Sequence, residues 1–154
     1  MSWQDELPAL AELSDTEAAD AINAMTETVL MPGTMVNSRT IPALFANPLD
    51  GERLNRKLDA LAAREAPAGD DELSVLVGLA IRTCKHWMAP EQGGIDVGHA
   101  GVRALLDRLP NIPDSGITEA EVATLKAAGE TVQIKYPGRL RAWQIADARQ
   151  HIGA

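Results

Sequence analysis

Residues 71–89 read DELSVLVGLAIRTCKHWMA, and the spacing of their apolar members decides the fold. Leu73, Leu76, Val77, Ala80, Cys84, Trp87 and Met88 recur at three- and four-residue intervals, the period of an α-helix with one broad apolar stripe. A stripe of that width holds a helix only when it is buried, so this helix is expected to cross the centre of the fold. Acidic residues at its start suit the positive end of the helix dipole, and Pro90 cannot continue it.

Upstream, APAGDD (66–71) is the best candidate for an internal linker. Before it, a helix opening at Asp50 and running to about Glu65 turns Leu54, Leu58 and Leu61 inward and Glu52, Arg53 and Lys57 outward. Asn47-Pro48 is read as the stop of a shorter helix that Ser38 caps and that runs through Phe45. Pro32-Gly33 is a turn. Ser14, three residues before Glu17, makes a capping box for a helix with Ala18, Ala21, Ile22 and Met25 on its apolar side. Trp3, Leu7, Leu10 and Leu13 line a short first helix, with Pro8 tolerated near its start.

Downstream, PEQGGI leads to a helix over about Gly98 to Leu109 that buries Val102, Leu105, Leu106 and Leu109. A second capping box at Thr118 and Glu121, with Ile117 stapling onto Val122, starts a helix that Gly129 ends as a left-handed cap. TVQIKY (131–136) alternates as a short strand does, Pro137-Gly138 turns, and Trp143–Gln150 is helical. The expectation is a mainly α single domain over 1–154, a compact bundle of about six to eight short helices with one short β element near 131–136.

Composition agrees with helix. Of 154 residues 45% are hydrophobic but only 3% aromatic, so Leu, Ala, Val and Ile must build the core. A net charge of −8 argues against nucleic acid as partner, because phosphate binding needs clustered Lys and Arg. No apolar run approaches the ~18 residues of a membrane span, and no signal peptide is evident at MSWQDELPALAEL. The one cysteine excludes an internal disulfide and points to a reducing compartment, the cytoplasm.

The stretch with most apparent chemistry is GGIDVGHAGVRALLDR (93–108), where His99 stands between glycines near Asp96. Helix initiation accounts for it: Asp96 as N-cap, Gly93 and Gly94 for unusual backbone angles, His99 in the first turn where the dipole disfavours its protonation. The alternative is an anion-binding module, or a small enzyme, that uses the free amides from Val97 to Ala100. The lysine and glycine spacing of a phosphate-binding P-loop are missing. Cys84, His86, His99 and His151 have no metal-ligand spacing, so neither metal nor cofactor is expected, and Cys84 on the apolar stripe is a packing residue. Carboxylate pairs such as Asp70/Asp71 and Glu119/Glu121 lie at helix starts, where the dipole explains them. No catalytic residue is assigned.

Two surfaces suit protein docking instead. Lys135, Tyr136, Arg139, Arg141 and Trp143 cluster in an otherwise acidic chain, and Tyr, Trp and Arg are the types enriched at interfaces. Arg39, in TMVNSRTIPALF, is placed to meet a carboxylate in the fold or on a partner. Tyr136, Arg139, Arg141, Trp143 and Arg39 are therefore the candidate interface residues, with a local ion-pair and packing role as the other reading of the 135–143 cluster.

Three segments carry a resemblance: ELSDTEAADAINAMTETVLMPGTMVNSRTI (12–41), GGIDVGHAGVRALLDRL (93–109) and ITEAEVATLKAAGETVQIKYPGRLRAWQIADARQ (117–150). Together they resemble the blocks of a group of small tailed-bacteriophage proteins from structural gene regions. That group pairs a capped alanine-rich helix and an Asn/Thr turn with a leucine-faced helix and a final Ala/Asp/Arg-rich helix. The resemblance implies a virion component of the tail or its fibre attachment, made in the host cytoplasm and docked in several symmetric copies on other virion proteins. It carries over no catalytic residue. A cytoplasmic fibre-assembly factor is the alternative within the same setting. The chain departs from the group at VQIKYPGRLRAW (132–143), where the group has a Ser-Arg-Ala-Glu-like run.

Overall fold

A computed structural model describes residues 2–152. The chain is mainly helical, with six α-helices, one long 3₁₀ helix and short strands among the described residues. In chain order these are a 3₁₀ helix Trp3–Leu10, α1 (Asp15–Ala24), β1 (Thr26–Leu30), β2 (Met35–Val36), α2 (Pro48–Ala62), α3 (Glu72–Trp87), β3 (Ile95–Asp96), α4 (Ala100–Arg108), α5 (Glu119–Ala128), β4 (Glu130–Ile134) and α6 (Ala142–Ile152). Shorter 3₁₀ turns cover Ile41–Leu44, Pro90–Gln92 and Leu109–Asn111. Strand β1 pairs with β4 and β2 with β3. No described helix is long and apolar enough to cross a membrane.

The chain sorts into two compact units: Met1–Val29 with Val132–Ala154, and Leu30–Thr131. Both crossings fall inside the paired strands β1 and β4. The division is thus at 29/30 and 131/132, whereas the APAGDD segment lies within the second unit, as an exposed connection between α2 and α3.

The second unit is built round α3. Leu76, Val77, Ala80, Ile81, Cys84 and Trp87 are buried against Leu54, Leu58 and Leu61 of α2 and Leu105, Leu106 and Leu109 at the end of α4. Leu73 departs from the expected stripe at 48% exposed, because it sits in the first turn, beyond the packed length of the helix. Helix α2 starts at Pro48. The Asn47 side chain accepts from the Leu49 amide, and Pro48 occupies the first helical position, where its missing N–H costs nothing. Asn-Pro is therefore a start signal here and not a stop. Ahead of it, Asn37 and not Ser38 organises the turn, its Oδ1 accepting from the amides of Arg39 and Thr40.

The first unit packs α1 on α6, with Ala18, Ala19, Ile22, Leu140, Ile145 and Leu7 buried together. The Ser14–Glu17 capping box forms as expected. Helix α1 ends at Ala24, and TETVL turns to strand because Thr26, Thr28 and Val29 are β-branched and find a partner in β4. The Trp3–Leu10 segment is 3₁₀ and not α, with Pro8 inside it. Two polar ties close this unit. Asn23 bonds both the amide and the carbonyl of Leu140, at 2.9 and 3.0 Å, and Arg149 reaches Asp15 at 2.8 Å and the Leu10 carbonyl at 2.9 Å.

Candidate functional site

The Asp96–His99 loop is a junction of main chains. Asp96 lies in β3, paired with Met35 of β2, and is not the N-cap of α4. Its carboxylate accepts from the amides of Gly33 at 2.7 Å and Gly98 at 3.0 Å, joining the Pro32-Gly33 turn to the start of α4. Those bonds, the one from Gly33 foremost, hold its pKa below the usual aspartate range. The N-cap is His99, whose Nδ1 accepts from the Gly101 amide at 3.1 Å.

Three of the four amides proposed for an anion cradle are already occupied. Val97 N–H donates to the Thr34 carbonyl, Gly98 to Asp96 Oδ1 and His99 to the Asp96 carbonyl. A fixed carboxylate in the middle of the loop repels an anion as well. Two glycines let main chains approach closely here. A Cβ on Gly98 would stand 1.8 Å from the Met31 carbonyl oxygen, and one on Gly129 would stand 2.4 Å from that of Val97. Gly129 has φ −93°, so it does not end α5 as a left-handed cap; it is glycine because the Val97 backbone passes so close.

Arg103, which sequence reading passed over, locks this junction. The residue is only 8% exposed, and its guanidinium donates to the carbonyls of Val97 at 2.9 Å and Lys126 at 2.8 Å and pairs with Glu130. Five fixed donors let one arginine bond two carbonyls and a carboxylate together. The only available signal was a charged residue flanked by the apolar positions of α4, which is common at helix borders. Among the described residues no group of three His, Cys, Asp or Glu side chains is placed to hold a metal. Burial pushes the Cys84 thiol up to about 12, so it stays a neutral packing group.

The candidate docking residues divide between the units. Arg39 is exposed in the second unit, on the Asn37 turn. Tyr136, Arg139, Arg141 and Trp143 all belong to the first. Glu6 explains part of that cluster: it accepts from the Tyr136 hydroxyl at 2.6 Å and from Lys135 Nζ at 3.0 Å. The Tyr136 and Lys135 bonds lower the Glu6 pKa, and the same carboxylate raises those of Lys135 and Tyr136. Lys135 and the Tyr136 hydroxyl thus hold the 3₁₀ helix in place.

What stays open is a groove on this unit. One cavity of about 410 Å³ is lined by Tyr136, Gly138, Arg139 and the Asp20–Asn23 side of α1. A second, of about 430 Å³, lies between Trp3 and Trp143. A third, of about 300 Å³, shares Tyr136 and Arg139 with the first and Trp3 and Gln144 with the second, so the three run together. Trp143 is 67% exposed at one end. Arg139 and Arg141 are exposed, and their guanidinium groups have no ion pair among the described residues. Compared with protein-family models, with curated proteins and with solved structures, the chain finds no match.

Proposed function

We propose that the chain is an attachment protein that works by docking, through the Trp3–Tyr136–Arg139–Trp143 groove of its first unit, on another polypeptide. The setting implied by its sequence resemblance is a tailed-phage virion, in the tail or fibre attachment. The observation that carries the reading is Trp143, a large aromatic side chain left two-thirds exposed beside a continuous groove with free arginines. Water-exposed tryptophan is costly, whereas Trp and Arg are the side chains on which interface energy concentrates. A standard interface needs about 800 Å² per partner, within reach of a groove of this extent with its rim. The acidic partner surface that Arg139 and Arg141 call for would set orientation and association rate.

Mass spectrometry of purified particles of the phage that encodes the chain tests this reading. A virion component appears at fixed stoichiometry, and Trp143→Ala, which removes an exposed side chain, lowers its incorporation while the circular dichroism spectrum is unchanged. Presence in infected cells with absence from finished particles would favour a fibre-assembly factor instead. Undiminished incorporation of Trp143→Ala with Arg139→Ala would overturn the assignment of the groove.

A further inference from the structure

Among the described residues β1 and β4 pair with each other and with no further strand. Two bonds fix their register. Lys135 N–H donates to the Met25 carbonyl at 2.9 Å, and Met31 N–H donates to that of Gly129 at 2.8 Å. The pairing is thus antiparallel, and the two bonds stand equally far apart on both strands, so no bulge interrupts it. Hydrogen-bonded pairs recur at every second residue of such a ladder. The odd-numbered residues therefore turn their N–H and C=O groups towards the paired strand. Thr26, Thr28 and Leu30 on β1, and Glu130, Val132 and Ile134 on β4, turn theirs outward. Beyond the ladder these outward groups have no main-chain partner among the described residues.

The two edges differ in what guards them. Proteins blunt a free edge with charge, proline or a bulge. β1 carries the exposed Glu27. If β1 paired antiparallel with its own copy about Thr28, the two Glu27 side chains would lie diagonally on one face and repel. β4 has no such guard. Its one charge, Glu130, is taken by Arg103, and the rest is Thr131, Val132, Gln133 and Ile134, neutral and mostly β-branched. Val132 is 65% and Ile134 57% exposed. A second β4, antiparallel about a two-fold axis at Val132, sets Val132 against Val132, Glu130 against Ile134 and Thr131 against Gln133. The outward residues of one copy then meet the outward residues of the other, and no like charges stand opposed. Two-fold symmetry makes each unlike pairing twice. A two-stranded ribbon, marginal as a sheet, becomes half of a four-stranded one. The contact is far smaller than the about 800 Å² per partner of a standard interface, so it is weak between free chains and gains strength where copies are held side by side.

We infer that a second copy of this chain pairs with β4 edge to edge, antiparallel about Val132, and extends the ribbon into a four-stranded sheet. The assignment stands without the groove, since Val132 is not among the residues that line it. Sedimentation of the full chain over a concentration series is the test, and wild type should shift towards twice the mass of one chain. Val132→Lys alone and Val132→Glu alone each put like charges on the two-fold axis. Both should stay monomeric, with the circular dichroism spectrum unchanged because the side chain is exposed. An equimolar mixture of the two sets opposite charges together and should dimerise. Thr28→Lys, on the other edge, should leave the wild-type shift intact. Amide exchange followed by NMR reads the same contact residue by residue: Val132 and Ile134 should gain protection as concentration rises, and Thr28 should not. A wild type that stays monomeric throughout, charge variants that fail to recover on mixing, or protection that falls on Thr28 instead would each overturn the assignment. So would a chain that is monomeric alone but whose Val132→Lys variant drops out of particles, because a strand of another protein then takes the edge.

Discussion

Gly98→Ala adds one methyl group where the structure has least room for it. Gly98 does not have positive φ, so alanine meets no conformational penalty and the cost is steric alone. The added carbon would stand 1.8 Å from the Met31 carbonyl oxygen, 2.4 Å from its carbon and 2.9 Å from Pro32 N. Ordinary contacts between such atoms are about 3.5 Å, so one main chain must retreat by more than about 1 Å. The Met31–Thr34 segment is not free to do so. Met31 N–H is bonded to the Gly129 carbonyl at 2.8 Å, Thr34 Oγ1 to that of Met31 at 2.6 Å, and Val97 N–H to that of Thr34 at 3.0 Å. Overpacking of about 1–3 kcal/mol, with loss of one or two bonds at about 1 kcal/mol each, gives about 3–5 kcal/mol. Gly33→Ala is the control: φ is +88° and no heavy atom lies within 4 Å, so its cost is the left-handed backbone alone, about 1–2 kcal/mol. Urea denaturation followed by circular dichroism ranks the two variants by midpoint. If Gly98→Ala loses no more than Gly33→Ala, the close packing of these main chains is not what selects glycine.

Arg103→Met strands two carbonyls and Glu130, and unfolding by urea should show a loss of about 3–5 kcal/mol; Arg103→Lys recovers only part, since an ammonium lacks the planar fork. His99→Ala removes only a helix cap and should cost about 1 kcal/mol, with His99→Asn restoring it; a much larger loss would show that the ring has another role. Asp96 has a folded-state pKa below its unfolded value, so its contribution is complete above the ordinary aspartate range and is lost as pH falls through the folded value. Asp96→Asn should therefore flatten the acid side of the stability–pH curve, measured as urea midpoints from neutral pH downward. An unchanged acid limb would show that the Gly33 and Gly98 amides do not hold the charge.

Features set by neighbours in sequence were the ones legible there. The capping boxes at Ser14–Glu17 and Thr118–Glu121 formed as read because each is completed within four residues. The stripes of α2 and α3 were equally clear, since a period needs no partner to be visible. Features set by distant segments were not. No strand was read at TETVL because its partner lies about a hundred residues on. Gly129 was read by the local rule for helix ends, whereas its reason is the passage of Val97, thirty-two residues earlier. The same holds for the surface residues. Tyr136 was recognisable as an interface type, but that Glu6 takes its hydroxyl is a contact across 130 positions. His99 took the N-cap role expected of Asp96 because a two-residue strand, too short to leave a pattern, claims the aspartate.

The first unit is made of two stretches of chain that are separated by the whole of the second. During synthesis residues 2–29 therefore leave the ribosome without part of their packing, since α1 and the 3₁₀ helix share one apolar cluster with Leu140 and Ile145. The segment from 30 to 131 emerges complete in the meantime, and the bond from Met31 to Gly129 brings its ends together. Folding thus runs from the middle outward, and the Trp3–Trp143 groove is the last part of the molecule to exist.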